Sequence, residues 1–269
     1  MHRLSPGFAL VTGASGGIGA AFARALPPDR PLLLTALDEA GLEALRRELA
    51  VEGRPVRILP ADLTVEAGRQ AVIAAARALP LALLINNAGF GSYGPFLTSD
   101  PARQAAMVQL NCLAPLVLTQ ALLPALLDNA RRQGGHGGLI LVASVAALVP
   151  LPRFATYSAS KAFDLVLGEC LADELRGQPL DVVTLCPPPT RTAFNASAGI
   201  PGGAGGMDPG AVAAAGLRAL GRRSRVVPGR EGRRFALLHA FVPRRLLRPL
   251  VRRGVRRALP DPAPPGGAA

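Results

Sequence analysis

The sequence predicts an α/β protein: one doubly wound domain with a parallel sheet and helices on both faces. Two observations carry this. Short apolar runs alternate with longer amphipathic stretches through most of the chain. The short runs are apolar throughout, without polar alternation, which suits strands covered on both faces. The 269 residues are 49% hydrophobic and 18% charged, enough for a sizeable core and unlike a disordered chain. No internal repeat or interior linker divides them, so one domain is the better count.

In chain order, strands are expected at 8–12, 31–36, 56–60, 81–86, 138–143 and 181–186. Helices are expected near 17–26, 39–52, 65–78, 101–131 and 156–176. The stretch 39–52 shows the reasoning: Leu42, Leu45 and Leu49 recur at helical spacing among Glu43, Arg46, Arg47 and Glu48. Residues 1–230 make up the domain, with a Gly- and Ala-rich, nearly uncharged stretch at 193–210 expected as a mobile substrate loop. Residues 231–260 read as a basic amphipathic extension, and 261–269 as a disordered tail.

Composition removes several classes. Aromatics are 4% and Trp is absent, so the stacking platforms of single-strand nucleic-acid binders are not expected. Cys112, Cys170 and Cys186 are odd in number and widely spaced, which excludes a disulfide framework and a CxxC metal site. His2, His136 and His239 are scattered, against a zinc enzyme, and no metal ligand set is expected. The longest apolar run, 139–151, is too short to span a bilayer, and the chain enters its first strand too early for a signal peptide. A reduced, soluble, cytoplasmic protein is the expectation.

The net charge of +12 is local. Residues 218–257 hold fourteen arginines and one acid, Glu231, a balance of +13; everything else sums to −1. In 244–259, Leu247, Leu250, Val251, Gly254 and Ala258 share a helical face, with Arg245, Arg248, Arg252, Arg253 and Arg256 largely elsewhere. Three readings compete: a helix packed on its own domain or a sister subunit, peripheral attachment to an anionic membrane, and, least favoured, nucleic-acid binding. A second count is sharper. Of 30 basic residues, 29 are arginine and one is Lys161. A lone lysine in so arginine-biased a chain suggests chemistry that needs a compact ammonium. Tyr157, one of two tyrosines, lies four residues before it, on the same helix face.

Thr12-Gly13-Ala14-Ser15-Gly16-Gly17-Ile18-Gly19 follows the first strand and opens the first helix. Such glycines let the backbone turn sharply and approach a pyrophosphate, whose charge then sits at the helix N-terminus. No GK[ST] is present, against a nucleoside-triphosphate P-loop. With this turn come Asp62 after the third strand and Asn86-Asn87-Ala88-Gly89 after the fourth. Then follow Asn111, Ser144, Tyr157-Ser158-Ala159-Ser160-Lys161, and Pro187 to Thr192. In that order and spacing, over 12–192, the chain resembles the short-chain dehydrogenase/reductase superfamily, whose fold is a single Rossmann-type domain. The C-terminal third resembles, less tightly, basic tails of reductases acting on lipid-like or bulky apolar carbonyls.

The resemblance implies an NAD(P)-dependent oxidoreductase interconverting a secondary alcohol and a carbonyl, working as a homodimer or homotetramer. Tyr157 is the implied proton donor, and its free pKa of ~10 is too high for neutral pH unless an ammonium one turn away favours phenolate. Lys161 is placed to supply that field and, by the resemblance, to hold the nicotinamide ribose. Ser144 would bond the carbonyl oxygen, and Asn111 would anchor a relay water, although asparagine also caps helices. The implied dinucleotide contacts are Gly13, Ser15, Gly17, Ile18, Gly19, Asp62, Leu63, Asn87, Gly89, Tyr157, Lys161, Pro187, Thr190 and Thr192. Asp62 has an ordinary turn role as its competing reading. Ala36 offers no acid to grip a ribose 2′-hydroxyl and Leu37 no arginine for a 2′-phosphate, which leaves a slight lean to NADP. One departure stands out. The family's Pro-Gly after the sixth strand is here Pro187-Pro188-Pro189, and proline at 188 cannot adopt positive φ. That keeps open a dinucleotide-binding scaffold or sensor with little turnover.

Overall fold

A computed structural model describes residues 4–50, 53–200, 205–230, 232–234, 242, 245–246, 249 and 251–254. Seven parallel strands form one sheet: β1 (Phe8–Thr12), β2 (Leu32–Ala36), β3 (Val56–Pro60), β4 (Leu81–Asn86), β5 (Gly137–Val142), β6 (Leu180–Leu185) and β7 (Arg225–Val226). Their order is β3-β2-β1-β4-β5-β6-β7. Chain order reverses between β1 and β4, and the crevice at their carboxyl ends is where such sheets take ligands.

β1, β2, β4 and β5 are buried at every position, as their unbroken apolar runs require. Successive residues feed opposite layers. Val11, Leu34, Ile85, Ile140 and Val183 pack with Phe22, Leu42, Leu45 and Val212 on one face. On the other face Leu10, Leu33, Leu84, Leu139 and Val182 pack with Val72, Ile73, Leu118, Leu122 and Leu126.

The helices are α1 (Gly17–Ala25), α2 (Glu39–Leu49), α3 (Glu66–Arg77), α4 (Pro101–Val108), α5 (Ala114–Gln133), α6 (Ala155–Glu174), α7 (Phe194–Ser197) and α8 (Pro209–Ala219). The α2 helix starts where the Asp38 carboxylate accepts from the Gly41 N–H at 3.0 Å. It buries Leu42 and Leu45 and pairs Glu43 with Arg46 on its outer side. By contrast, α1 begins at Gly16 with no side-chain cap on its first N–H groups.

The structure differs from the sequence reading in three places. The helix expected over 101–131 is interrupted by a π-turn at Gln109–Leu113. The physical cause is Pro115: it lacks the N–H that would reach the Asn111 carbonyl, and its ring crowds that carbonyl. The whole stretch 101–133 is long and apolar enough to cross a membrane by length and composition, but Leu118, Leu122 and Leu126 are buried against the sheet. Secondly, α8 was not among the expected helices, because alanine and glycine give its pattern little contrast. Asp208 caps it, and Gly216 lets it approach α1 so closely that a Cβ there would lie 3.0 Å from the Phe22 ring. Thirdly, the two-residue β7 is too short to show any period.

Of the loop expected at 193–210, residues 194–197 form α7 and Met207 bridges back to Thr190. Most of 231–260, including Leu247, Arg248, Leu250, Arg256 and Ala258, and all of 261–269, lie outside the described residues, so the helical face read there is not described as a whole.

Candidate active site

The glycine-rich turn joins β1 to α1 at the crevice. Gly13 and Gly17 have φ of +64° and +54°, which only glycine adopts without strain. Gly19 is required by proximity: a Cβ would lie 2.2 Å from the Gly13 carbonyl oxygen. Asn87, after β4, locks the turn by donating its Nδ2 to the Thr12 carbonyl at 2.8 Å. The Thr12 hydroxyl accepts from the N–H groups of Asn87 and Ala88, both at 2.9 Å. Ser15 lies against the start of α2, where a Cβ on Gly41 would meet its own at 2.9 Å, and Ile18 packs partly buried on the core.

Asp62 turns the chain after β3: one carboxylate oxygen accepts from the Thr64 N–H at 2.8 Å and hydroxyl at 2.7 Å. Leu63 is buried beside it. The loop after β6 accommodates the triple proline without positive φ there. Its carbonyls are all used. Pro187 accepts from the Val145 N–H at 3.0 Å, Pro188 from the Thr190 hydroxyl at 2.8 Å, and Pro189 from the Met207 N–H at 2.8 Å. The Thr192 methyl closes over the glycine turn, 3.1 Å from where a Gly17 Cβ would stand.

β5 and α6 supply the reactive groups. Ser144 follows β5 in extended backbone; its hydroxyl accepts from the Ala146 N–H at 3.1 Å and pulls the Tyr157 hydroxyl towards phenolate. Lys161, one turn after Tyr157, is buried. Its Nζ donates to the Val142 carbonyl at 2.8 Å and to Asp164 at 3.0 Å. Gly89 faces this ammonium, and a Cβ there would meet Asn111 Oδ1 at 3.0 Å and Lys161 Nζ at 3.3 Å. The space a side chain would fill lies beside both groups, as an extended ligand running from the glycine turn to Ser144 requires.

Asn111 is no helix cap, and its side chain makes three hydrogen bonds: Oδ1 accepts from the Phe90 N–H at 3.1 Å, while Nδ2 donates to the Phe90 carbonyl and the Ser160 hydroxyl, both at 3.0 Å. It ties the β4 loop to α6, and Pro115 leaves the Asn111 main-chain carbonyl without an α-helical donor. The Tyr157 hydroxyl is pushed above the ordinary value, since desolvation outweighs the opposite pull of Lys161 and Ser144. Lys161 is itself held above its usual range: burial lowers it, but Asp164, Tyr157 and Cys112 together more than offset that.

Asp164 was not singled out from the sequence, nor was the aromatic wall. Phe154 lies 6.0 Å from Tyr157 between ring centroids, Phe194 5.2 Å from Tyr157, and Tyr93 5.0 Å from Phe154. Arg103 braces this wall by donating to the carbonyls of Gly91 and Ser197. The only advance signal was the scarcity of aromatics, which gives no clue to where they converge. A separate cavity of about 820 Å³ lies between 146–152, α6, and Arg245, Pro249 and Arg252. Arg245 and Arg252 are in its lining; Ser144, Tyr157 and Lys161 are not.

A family model described as short chain dehydrogenase matches residues 7–200. A very-long-chain 3-oxoacyl-CoA reductase of Eremothecium gossypii is 35% identical over 181 residues, 65% of this chain and 52% of that protein. A 1-deoxy-11-beta-hydroxypentalenate dehydrogenase of Streptomyces avermitilis is 36% identical over 192 residues, 70% of this chain and 69% of that protein. The match spans about half the length of the very-long-chain reductases. Among solved structures, a short-chain dehydrogenase from Sphingobium yanoikuyae in complex with NADPH superposes with a TM-score of 0.72 at 31% identity, covering 87% of this chain and 93% of that one. One from Burkholderia phymatum in complex with NAD gives 0.74 at 25% identity, covering 84% and 90%.

Proposed function

The chain belongs to the short-chain dehydrogenase family, and from that membership we propose that it is an NAD(P)-dependent oxidoreductase interconverting a secondary alcohol and a carbonyl. The observation that carries this is the convergence of Ser144, Tyr157 and Lys161 at the end of β5, with Gly89 leaving the approach to them open. When bound, the nicotinamide ring supplies or accepts the hydride. Gly13, Gly17 and Gly19 admit the pyrophosphate against the uncapped start of α1. Asn87 keeps that turn in shape. The Ser144 hydroxyl donates to the substrate oxygen, and Tyr157 delivers a proton to it as negative charge develops. Lys161 stabilises the phenolate that remains, and the Asn111 carbonyl holds the water that restores the proton.

Substrate and coenzyme follow from what lines the crevice. The Tyr93, Phe154 and Phe194 rings favour a medium-to-large apolar or lipid-like carbonyl. Relatives named as 3-oxoacyl-CoA reductases support the same class. NADP is weakly preferred over NAD, because neither Ala36 nor the exposed Leu37 presents a carboxylate to repel a 2′-phosphate. A homodimer or homotetramer is the expected assembly. The test is a panel of bulky ketones and their alcohols, followed by nicotinamide absorbance with NADPH and NADH in turn. Turnover that is faster with NADPH supports the reading. Dinucleotide binding with no turnover on any member would favour the scaffold or sensor.

A further inference from the structure

Asp164 sits on α6 three residues beyond Lys161, at a position packed into the interior. A carboxylate there is expensive to bury unless it is paired, and an aliphatic side chain would fill the same space without that cost. One oxygen, Oδ2, accepts from Lys161 Nζ at 3.0 Å; the other, Oδ1, has no partner among the described residues. So the carboxylate is spent on the single lysine of the chain. With the Val142 carbonyl it takes two of the three Nζ protons.

The neighbouring groups add no competing charge. Cys112, from the π-turn, and Cys186, after β6, both adjoin the Lys161–Asp164 pair, and burial pushes their thiols up to about 11 and about 12, so both stay neutral. Glu169 and Arg225, farther out, are exposed and paired with each other at 3.0 Å. The charges acting on Tyr157 are Lys161, which favours phenolate, and Asp164, which opposes it.

We propose that Asp164 is a positioning residue: it anchors the Lys161 ammonium beside β5 and absorbs part of the positive field that would otherwise act on the Tyr157 hydroxyl. It thereby sets the pH range over which Tyr157 exchanges its proton. This rests on the reading of Tyr157 as proton donor, but its physical content is the balance of two charges at one phenol, which can be measured without turnover.

The experiment is an alkaline titration of phenolate absorbance on the full chain, with folding followed by circular dichroism. Tyr93 and Tyr157 are the only tyrosines, so subtracting the Tyr157→Phe protein isolates the Tyr157 signal. In Asp164→Asn the Tyr157 midpoint falls by about one pH unit, because the ammonium then acts unopposed. Asp164→Glu, which restores the charge, returns it towards the original value. The rising limb of alcohol oxidation against pH moves the same way, since phenolate is the base in that direction. If Asp164→Asn does not fold, Asp164→Ser makes the same charge deletion with room for a water at Nζ. A folded, charge-deleted variant whose midpoint is unchanged or higher overturns the proposal. A shifted midpoint in a protein that turns over no alcohol upholds the positioning role and removes the oxidoreductase reading. Turnover lost in Tyr157→Phe with no movement in the Asp164 variants does the reverse.

Discussion

Tyr157 is under two opposed influences that a sequence can name only in half. The four-residue spacing to Lys161 made the favourable field legible, and the single lysine in a chain of arginines marked where to look. The opposing influences, burial and the Asp164 carboxylate, depend on how α6 seats against the sheet, and three residues of separation do not reveal that two side chains meet in the interior. The pH dependence follows with a definite sign. The phenol lies above its ordinary value before dinucleotide binds, so carbonyl reduction, which needs the protonated form, is level through neutral pH and falls only as pH rises through the phenol's value. Alcohol oxidation, which needs phenolate, climbs over the same range. Initial rates in the two directions across pH 6 to 10, on the order of the range set by the group's free pKa, check this. A rate of oxidation that declines with rising pH would contradict it.

Elements that carry contrast in their side chains were readable, and those that do not were not. The apolar runs gave six strands to within a residue at each end, because burial on both faces leaves no polar interruption. α8, built from Ala and Gly, has no such contrast, and only Asp208-Pro209 signals its start. The π-turn at Gln109–Leu113 is the most consequential case. Asn111 was legible as a site residue, but the turn that presents it depends on Pro115 four residues later. Pro115→Ala restores an N–H that can reach the Asn111 carbonyl, so the helix regularises through this point. We expect thermal stability to be kept or raised while kcat falls by about tenfold or more, since Asn111 loses its register with Phe90 and Ser160. Thermal melts and steady-state rates on the same samples check both parts. An active variant with rates like the parent's would show that the π-turn is incidental.

Across the whole molecule, an electrically ordinary α/β body carries a strongly basic end. The body was legible because family motifs recur along it in order, from Gly13 to Thr192. The role of the basic end was not, since arginine density alone fits packing, lipid attachment and, least well, nucleic acid. Among the described residues of that end, Arg245, Arg252 and Arg253 are exposed, and two of them line an apolar cavity of about 820 Å³ against 146–152 and α6, which leaves packing and lipid attachment to be separated by experiment. Replacing all three by Gln in the full chain should weaken sedimentation with anionic vesicles, by about 1 kcal/mol for each arginine that meets the surface. Neutral vesicles serve as the control, and equal pelleting of parent and variant on anionic vesicles would remove the membrane reading.

The account as a whole depends on one phenol acting as an acid towards a substrate oxygen. Its most direct test is turnover of a bulky ketone with reduced nicotinamide dinucleotide by the parent and by Tyr157→Phe, with dinucleotide binding measured alongside. The predicted result is a loss of about 10³-fold in kcat, far larger than any change in dinucleotide affinity from the lost Tyr157 hydroxyl. Equal turnover by the two proteins would contradict it.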